Sequence, residues 1–463
     1  MDYALTDEPA NILIDPEADD TNPDRKFPDP EFGPGLITDY DHYFDPAQLG
    51  REIDALFATK WLIAGRTQDV AEPGQWFTFD IGPESLIISR ASDGELRAFY
   101  NVCQHRGARL VLDDFGRSNS FVCGFHSWAW ELDGTLKRIT DEETFEEAVI
   151  CDRPGLPQIH VDTWGGFVFV SMAETPPSLA EFLGPLPQLL ANYQLEDMVM
   201  VSDFSIEWPV NWKVALDAFM EGYHIHRRHP EGLAWIEDYY LQHDFFDNGH
   251  SRMILPVGVK SARSSNPKSL TAELTAMLAE VGLDPAEFEG RADEVRAAIQ
   301  KRKLDWAAEA GMDFTRYTPS QLTDDGNYFI FPNTTFNMHA EGFLMMRFRP
   351  HPSDPEKCFY DVSAYAHRVK DPDYRLPLYM GAPDIDLSGE VPRPERVRLK
   401  HGEVSVSAVL DQDSEFVPFV QAGMKSRGFK KLRLSRQERR IQAFYQEYER
   451  CLSTLGGTPK RDL

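Results

Sequence analysis

The stretch Asn101–Trp128 constrains this chain more than any other. It reads NVCQHRGARLVLDDFGRSNSFVCGFHSW and holds two compact ligand pairs, Cys103-x-His105 and Cys123-x-x-His126, with seventeen residues between His105 and Cys123. Thiolate and imidazole are the side chains that soft metal ions and iron–sulfur clusters select. Two of each can build tetrahedral zinc, or a [2Fe–2S] cluster with cysteine on one iron and histidine on the other. Zinc fingers usually group their cysteines together and their histidines together, whereas here each cysteine has a local histidine. That mixed order, with Gly107 after the first pair and Phe125 and Trp128 around the second, favours the cluster. The competing reading is two buried thiols with two incidental histidines, which needs all four residues to coincide.

The flanks suit loops that present ligands. From about Trp61 to Met172, short alternating or apolar runs (WFTFDI, SLIISRA, LRAFYNV, SFVCGF, GGFVFVSM) read as strands, and Asp-Gly pairs at 93–94 and 133–134 mark hairpins. With C-x-H and C-x-x-H on two loops of a small antiparallel β unit, the stretch resembles the Rieske motif.

Composition bounds the rest. A chain of 463 residues exceeds one typical core. The net charge, 47 − 75 = −28, argues against nucleic acid and suits a redox partner with a basic docking face. Of five cysteines, two are in the motif, and Cys151, Cys358 and Cys451 read as free thiols of a reducing compartment. No run of about eighteen apolar residues predicts a membrane span, and the acidic start does not read as a targeting peptide. A cytoplasmic protein is expected. Residues 1 to about 35, punctuated by six prolines, suit an extended arm across a neighbouring subunit or a disordered tail.

A second constellation lies in NWKVALDAFMEGYHIHRRHP. On one helix, Asp217, Glu221 and His224 would share a face. Pro230 ends that helix, which frees His229 to turn toward His224. Two imidazoles and a carboxylate form the facial triad of non-haem Fe(II) oxygenases; the alternative is a solvated basic helix end. N-W-K followed by E-G-Y-H-x4-H-P resembles the catalytic signature of Rieske non-haem iron ring-hydroxylating oxygenase large (alpha) subunits. The resemblance runs through the FPN strand region to Gln421–Ser426 and the terminal helix opened by Ser435-Arg-Gln-Glu438.

That resemblance implies an α+β fold: a Rieske antiparallel β domain (residues 59–174) inserted in a catalytic helix-grip domain (1–58 and 175–463) whose antiparallel sheet wraps a long helix. It implies a terminal oxygenase that uses O₂, with NAD(P)H electrons arriving through a reductase and in some systems a ferredoxin. The substrate would be aromatic or another small hydrophobic molecule, as in aromatic hydrocarbon catabolism. Members form rings, so a homotrimer is expected, with or without a small beta subunit (α3 or α3β3). One departure bears on substrate. Many members carry Asp where this chain has Glu221, and Glu is common in members that demethylate or hydroxylate quaternary amines, as well as in those acting on aromatic acids.

Cys103, His105, Cys123 and His126 are the expected cluster ligands; His224, His229 and Asp413 the expected ligands of the mononuclear Fe(II). Asp411 competes with Asp413, since both sit near a helix start where either can cap; the family's usual distance to the following Gln421 favours Asp413. Glu221 is expected to bond His224 and, as the resemblance implies, His105 or His126 of a neighbouring subunit. Asp217 is expected to support His229 or the helix, and His226 to face away. Phe219, Met220, Phe329, Phe331, Phe336, Met338 and Phe343 are candidates for a substrate pocket or ordinary core; Arg347 and Arg349 for a carboxylate site or a solvated face. A lone electron carrier would leave some 290 residues without a purpose, and a zinc-stapled binding protein would leave the second constellation idle.

Overall fold

The computed structural model describes residues 31–37, 41–376 and 385–454. Most of the proline-punctuated arm lies outside the described residues. The chain forms two compact units.

Among the described residues, one unit comprises Asp45–Gln188 with Arg349–Pro355 and the chain from Tyr448 to Thr454. A seven-stranded sheet, antiparallel at every pairing, runs from Leu62–Arg66 at one edge to Phe115–Arg117 at the other. A small sheet of Phe121–Val122, Ala129–Trp130 and Leu136–Arg138 accompanies it. Both Asp-Gly pairs turn hairpins, with Gly94 and Gly134 at φ +85° and +86°, where an L side chain is strained. Trp76, Ile87, Phe99, Trp128 and Trp130 form a core that encloses Cys103 and Cys123.

The other unit is built on an eight-stranded, mostly antiparallel sheet. Its order is Gln242–Phe245, Ser251–Leu255, Asp325–Ile330, Thr334–Met338, Gly342–Pro350, Cys358–Ala366, Val199–Trp208 and Val397–Lys400. The helix Arg439–Thr454, opened by the Ser435/Glu438 capping box, packs Phe444 against Phe329, Phe331 and Trp212. This is the expected helix grip.

Three segments depart from their local sequence pattern, the expected single helix first. Residues 212–229 do not form one helix: Trp212–Asp217 is capped by Asn211 and stops, and Ile225–Arg228 follows as a separate turn. Glu221 captures the His224 main-chain N–H at 3.1 Å, competing with helical bonding, and Gly222 sits where a Cβ would come within 2.4 Å of Leu241. VSVSAVL does not continue the sheet, because Ala408–Leu410 open the helix Ala408–Met424 and Val404 is left exposed. SLAEFLGPLPQLL is split at Gly184 (φ +55°) into Leu179–Leu183 and Leu186–Leu190.

Candidate metal centres

The two Cys–His loops close in the same way. The Cys103 N–H bonds the Ala108 carbonyl at 2.8 Å and the Gly107 N–H returns to the Cys103 carbonyl at 3.0 Å. In the second loop Cys123 and Trp128 pair at 2.8 Å, and Ser127 returns to Cys123 at 2.9 Å. The residue four beyond each cysteine is left-handed, Gly107 at φ +76° and Ser127 at φ +58°. Asn101, a residue the motif did not signal, pins the first loop: its Oδ1 accepts from Leu110 and Val111 at 3.0 and 2.9 Å.

These loops bring all four candidate ligands together. The His105 and His126 rings lie edge to face, 4.7 Å between centroids, and Trp128 stacks on His105 at 4.9 Å. Both thiols are buried; burial pushes the Cys103 thiol up, and the adjacent Cys123 thiol adds to this. His105 Nδ1 is buried with no hydrogen-bond partner, as befits an atom meant for something else. Two thiols and two imidazoles, one of them with an orphaned buried nitrogen, fit a [2Fe–2S] cluster with a mixed ligand set.

The second constellation condenses more tightly. Among the described residues, His224, His229 and Asp413 are the group whose metal-donor atoms all lie within 4.8 Å of one another. Asp413 Oδ1 stands 2.8 Å from His229 Nε2 and 3.4 Å from His224 Nε2. The outer nitrogens are held: His224 Nδ1 by Glu221 Oε1 at 2.7 Å, His229 Nδ1 by Gln412 Oε1 at 2.5 Å. Such outer partners fix the tautomer and aim of a ligating imidazole. Burial pushes His224 down, but Glu221 and then Asp413 outweigh it and hold the ring up to about 9 in the metal-free chain. A divalent metal would take the place of that proton.

Asp411 points elsewhere, its Oδ1 accepting from the Val406 N–H at 3.3 Å. Neither aspartate is the N-cap, which is Ser407. Asp217 supports neither His229 nor the metal group. Its Oδ2 accepts from Tyr43 at 2.9 Å and Tyr445 at 3.3 Å, its Oδ1 is buried without a partner, and burial raises its carboxyl to about 7. Gln412, Tyr43 and Tyr445 escaped the sequence reading; only the adjacency of Gln412 to Asp413 hinted at a role.

A cavity of about 1350 Å³ opens at this group, lined by Asp217, Glu221, His224, His226, Asp413, Phe416, Val420 and Glu438 among others. The seven candidate pocket residues are buried, and none of them lines that cavity. Phe219 packs on Phe348 and Tyr360, and Phe343 on Tyr365. Arg347 is not solvated but buried, paired with Asp361 at 2.8 Å, and Arg349 bonds the Asp80 carbonyl at 2.9 Å.

Residues 195–454, more than half of the chain, match the ring hydroxylating alpha subunit (catalytic domain). The chain belongs to that family. Residues 60–157 match the Rieske [2Fe-2S] domain, so a Rieske cluster and a mononuclear iron are the groups this chain carries. The glycine betaine monooxygenase oxygenase subunit of Chromohalobacter salexigens is 34% identical over 197 residues, 42% of this chain and 44% of that relative. The large oxygenase component of the naphthalene 1,2-dioxygenase system of Pseudomonas aeruginosa is 30% identical over 210 residues, 43% of this chain and 46% of that relative. The matches thus span less than half the length of these curated relatives. A quaternary ammonium Rieske monooxygenase in complex with L-carnitine has the same fold, with TM-score 0.61 at 19% identity over 90% of this chain and 95% of that one. No helix of the described residues is long and apolar enough to cross a membrane.

Proposed function

We propose that this chain is the terminal oxygenase subunit of a Rieske non-haem iron system and that it oxidises a small quaternary amine. Cys103 and Cys123 would hold one iron of the cluster and His105 and His126 the other, while His224, His229 and Asp413 would hold the mononuclear iron. The observation that carries this reading is the pair of imidazole Nε2 atoms converging on Asp413, with both outer nitrogens already engaged.

When bound, the cluster relays single electrons and the mononuclear iron activates O₂. The chain's own residues supply the frame. Glu221 and Gln412 orient the two rings, and Asp413 completes a three-ligand set that leaves coordination positions open. Glu221 keeps 11% of its side chain accessible, and Oε2 carries only the His224 N–H, so it has room for a second donor. We assign that place to His105 or His126 of a neighbouring subunit, which requires an oligomer, a homotrimer with or without a small beta subunit. A reductase, with or without a ferredoxin, would deliver the electrons of NAD(P)H.

The amine is preferred to an arene on two grounds: one relative is a glycine betaine monooxygenase subunit and the solved structure is a quaternary ammonium monooxygenase with L-carnitine, and Glu occupies position 221. Arene dihydroxylation is the second reading, supported by the naphthalene dioxygenase relative. In N-demethylation, two electrons, two protons and O₂ convert one N-methyl group to formaldehyde and release water. The test is O₂ uptake with a surrogate reductase and NAD(P)H. Glycine betaine or carnitine should stimulate uptake with stoichiometric formaldehyde; stimulation by naphthalene alone, with a diol product, would reverse the preference.

A further inference from the structure

Pro418 stands inside the helix Ala408–Met424. Proline has no N–H, and its ring crowds the carbonyl four residues back, so the Ser414 carbonyl loses its regular helical partner. A side chain from outside the helix takes that place: His401 Nε2 lies 2.9 Å from the Ser414 carbonyl oxygen. A carbonyl only accepts, so this nitrogen carries the proton. Ser414 directly follows the candidate ligand Asp413. The carbonyl of the residue before it, Gln412, accepts from Arg228 Nη2. The main-chain carbonyls on both sides of Asp413 are thus held by side chains that do not belong to its helix.

His401 is itself fixed to the sheet. It follows the edge strand Val397–Lys400, and its own N–H donates to the Glu207 carbonyl at 3.0 Å. Its ring stacks on the fully buried Trp208, 5.9 Å between centroids and 13° between planes. Close packing does not tie this part of the sheet to the helix. A cavity of about 360 Å³ is lined by Trp208 and Tyr360 from the sheet and by Leu410, Asp411 and Ser414 from the helix, with His401 also in its wall. Beside that gap, the His401–Ser414 bond is a strut from the sheet to the turn that carries Asp413.

We infer that His401 is a positioning residue of the mononuclear metal site: through the carbonyl that Pro418 leaves open, it sets the reach of Asp413 toward His224 and His229. With that carbonyl unheld, the turn spends less time in the ligating position, and metal affinity falls in proportion. The inference rests on Asp413 being a metal ligand and adds the residue that places it.

Cobalt(II) titration of the iron-stripped, cluster-bearing protein tests it. His401→Phe keeps a flat ring over Trp208 and deletes the N–H. It should weaken cobalt binding about fivefold, within the roughly 2- to 13-fold that one neutral hydrogen bond commands. The EPR spectrum of the bound high-spin cobalt, read with the cluster oxidised and silent, should change shape. His401→Gln, which offers an N–H at a similar reach, should restore both. Pro418→Ala returns an N–H to the helix, so in that background His401→Phe should cost less than about 1.5-fold, the coupling expected when two residues act on one carbonyl. His401→Leu serves if the Phe variant does not fold. If Asp413→Ala binds cobalt as wild type does, the ligand set falls and this inference with it. If Asp413→Ala loses cobalt while His401→Phe lowers Tm but leaves affinity and spectrum native, or costs the same with and without Pro418, His401 does not position Asp413, and the ligand set stands.

Discussion

Glu221→Gln isolates the support of one iron ligand with the least steric change. In the native site Oε1 pairs with His224 Nδ1 at 2.7 Å, and Oε2 accepts the His224 main-chain N–H at 3.1 Å. Glutamine keeps one acceptor and places an NH₂ where the other stood. The ring bond survives as a neutral one, and the main-chain N–H loses its partner. A neutral hydrogen bond contributes about 0.5–1.5 kcal/mol and one to a charged group about 1.5–3. Turning the ring bond from a charged to a neutral one costs roughly 1–1.5 kcal/mol, and losing the main-chain bond to the carboxylate roughly 1.5–3. The ring bond alone is about 5- to 13-fold in metal affinity, and the roughly 10- to 100-fold usual for outer partners of ligating histidines bounds the whole. Cobalt(II) titration of the iron-stripped protein measures it, with the cluster's EPR signal as control because its ligands lie in the other unit. At saturating iron, reoxidation of the reduced cluster in a single turnover should also slow. Affinity within twofold of wild type for both Glu221→Gln and Glu221→Ala would refute the orienting role.

Other expectations follow from the same geometry. Asp413→Ala should strip the mononuclear iron and spare the cluster, whereas Asp411→Ala should retain both; metal analysis decides, and the opposite pattern would exchange their roles. Cys123→Ala should abolish the visible and EPR signature of the cluster, and an unchanged spectrum would sink that ligand set. Gln412→Leu removes the 2.5 Å support of His229, so iron affinity should fall about 10- to 100-fold with the fold intact. Asp217, raised to about 7 by burial, stays protonated in the folded chain where the unfolded chain ionises. Stability it contributes at low pH is therefore lost as pH rises from about 4 to 7, with a ceiling of about 4 kcal/mol. Asp217→Asn should raise Tm relative to wild type at pH 8 and much less at pH 5; a pH-independent difference would show that Asp217 is ionised throughout.

What was legible from the sequence was chemistry with short spacing. Cys103-x-His105 and Cys123-x-x-His126 each fit one turn of chain, and Asp-Gly pairs dictate tight hairpins wherever they sit between strands. Position 221 was legible as a partner of His224, but through the wrong geometry. A helix and an opened loop both put residues three apart in contact; the His224 main-chain N–H taken by Glu221 and the close approach of Gly222 to Leu241 go with the loop. VSVSAVL alternates like a strand, yet its last three residues open the helix Ala408–Met424 and Val404 is exposed. Gln412 and the Tyr43–Asp217–Tyr445 cluster were out of reach, because each joins residues some 170 or more apart, through contacts that leave no local pattern. Arg347 alternated like a surface residue and is buried because Asp361, on the neighbouring strand, neutralises it.

In the proposed function one chain stores an electron at the Cys–His loops and uses it at His224, His229 and Asp413 to put oxygen into an N-methyl group. A single turnover tests it most directly. Protein with both metals loaded and the cluster reduced, freed of reductase, is mixed with glycine betaine or carnitine under ¹⁸O₂. The reduced-cluster EPR signal should be lost together with formation of formaldehyde bearing ¹⁸O, trapped at once before exchange with water, and neither should occur in Asp413→Ala. Reoxidation of the cluster at the wild-type rate in Asp413→Ala, or reoxidation in wild type with no labelled product from any quaternary amine, would contradict it.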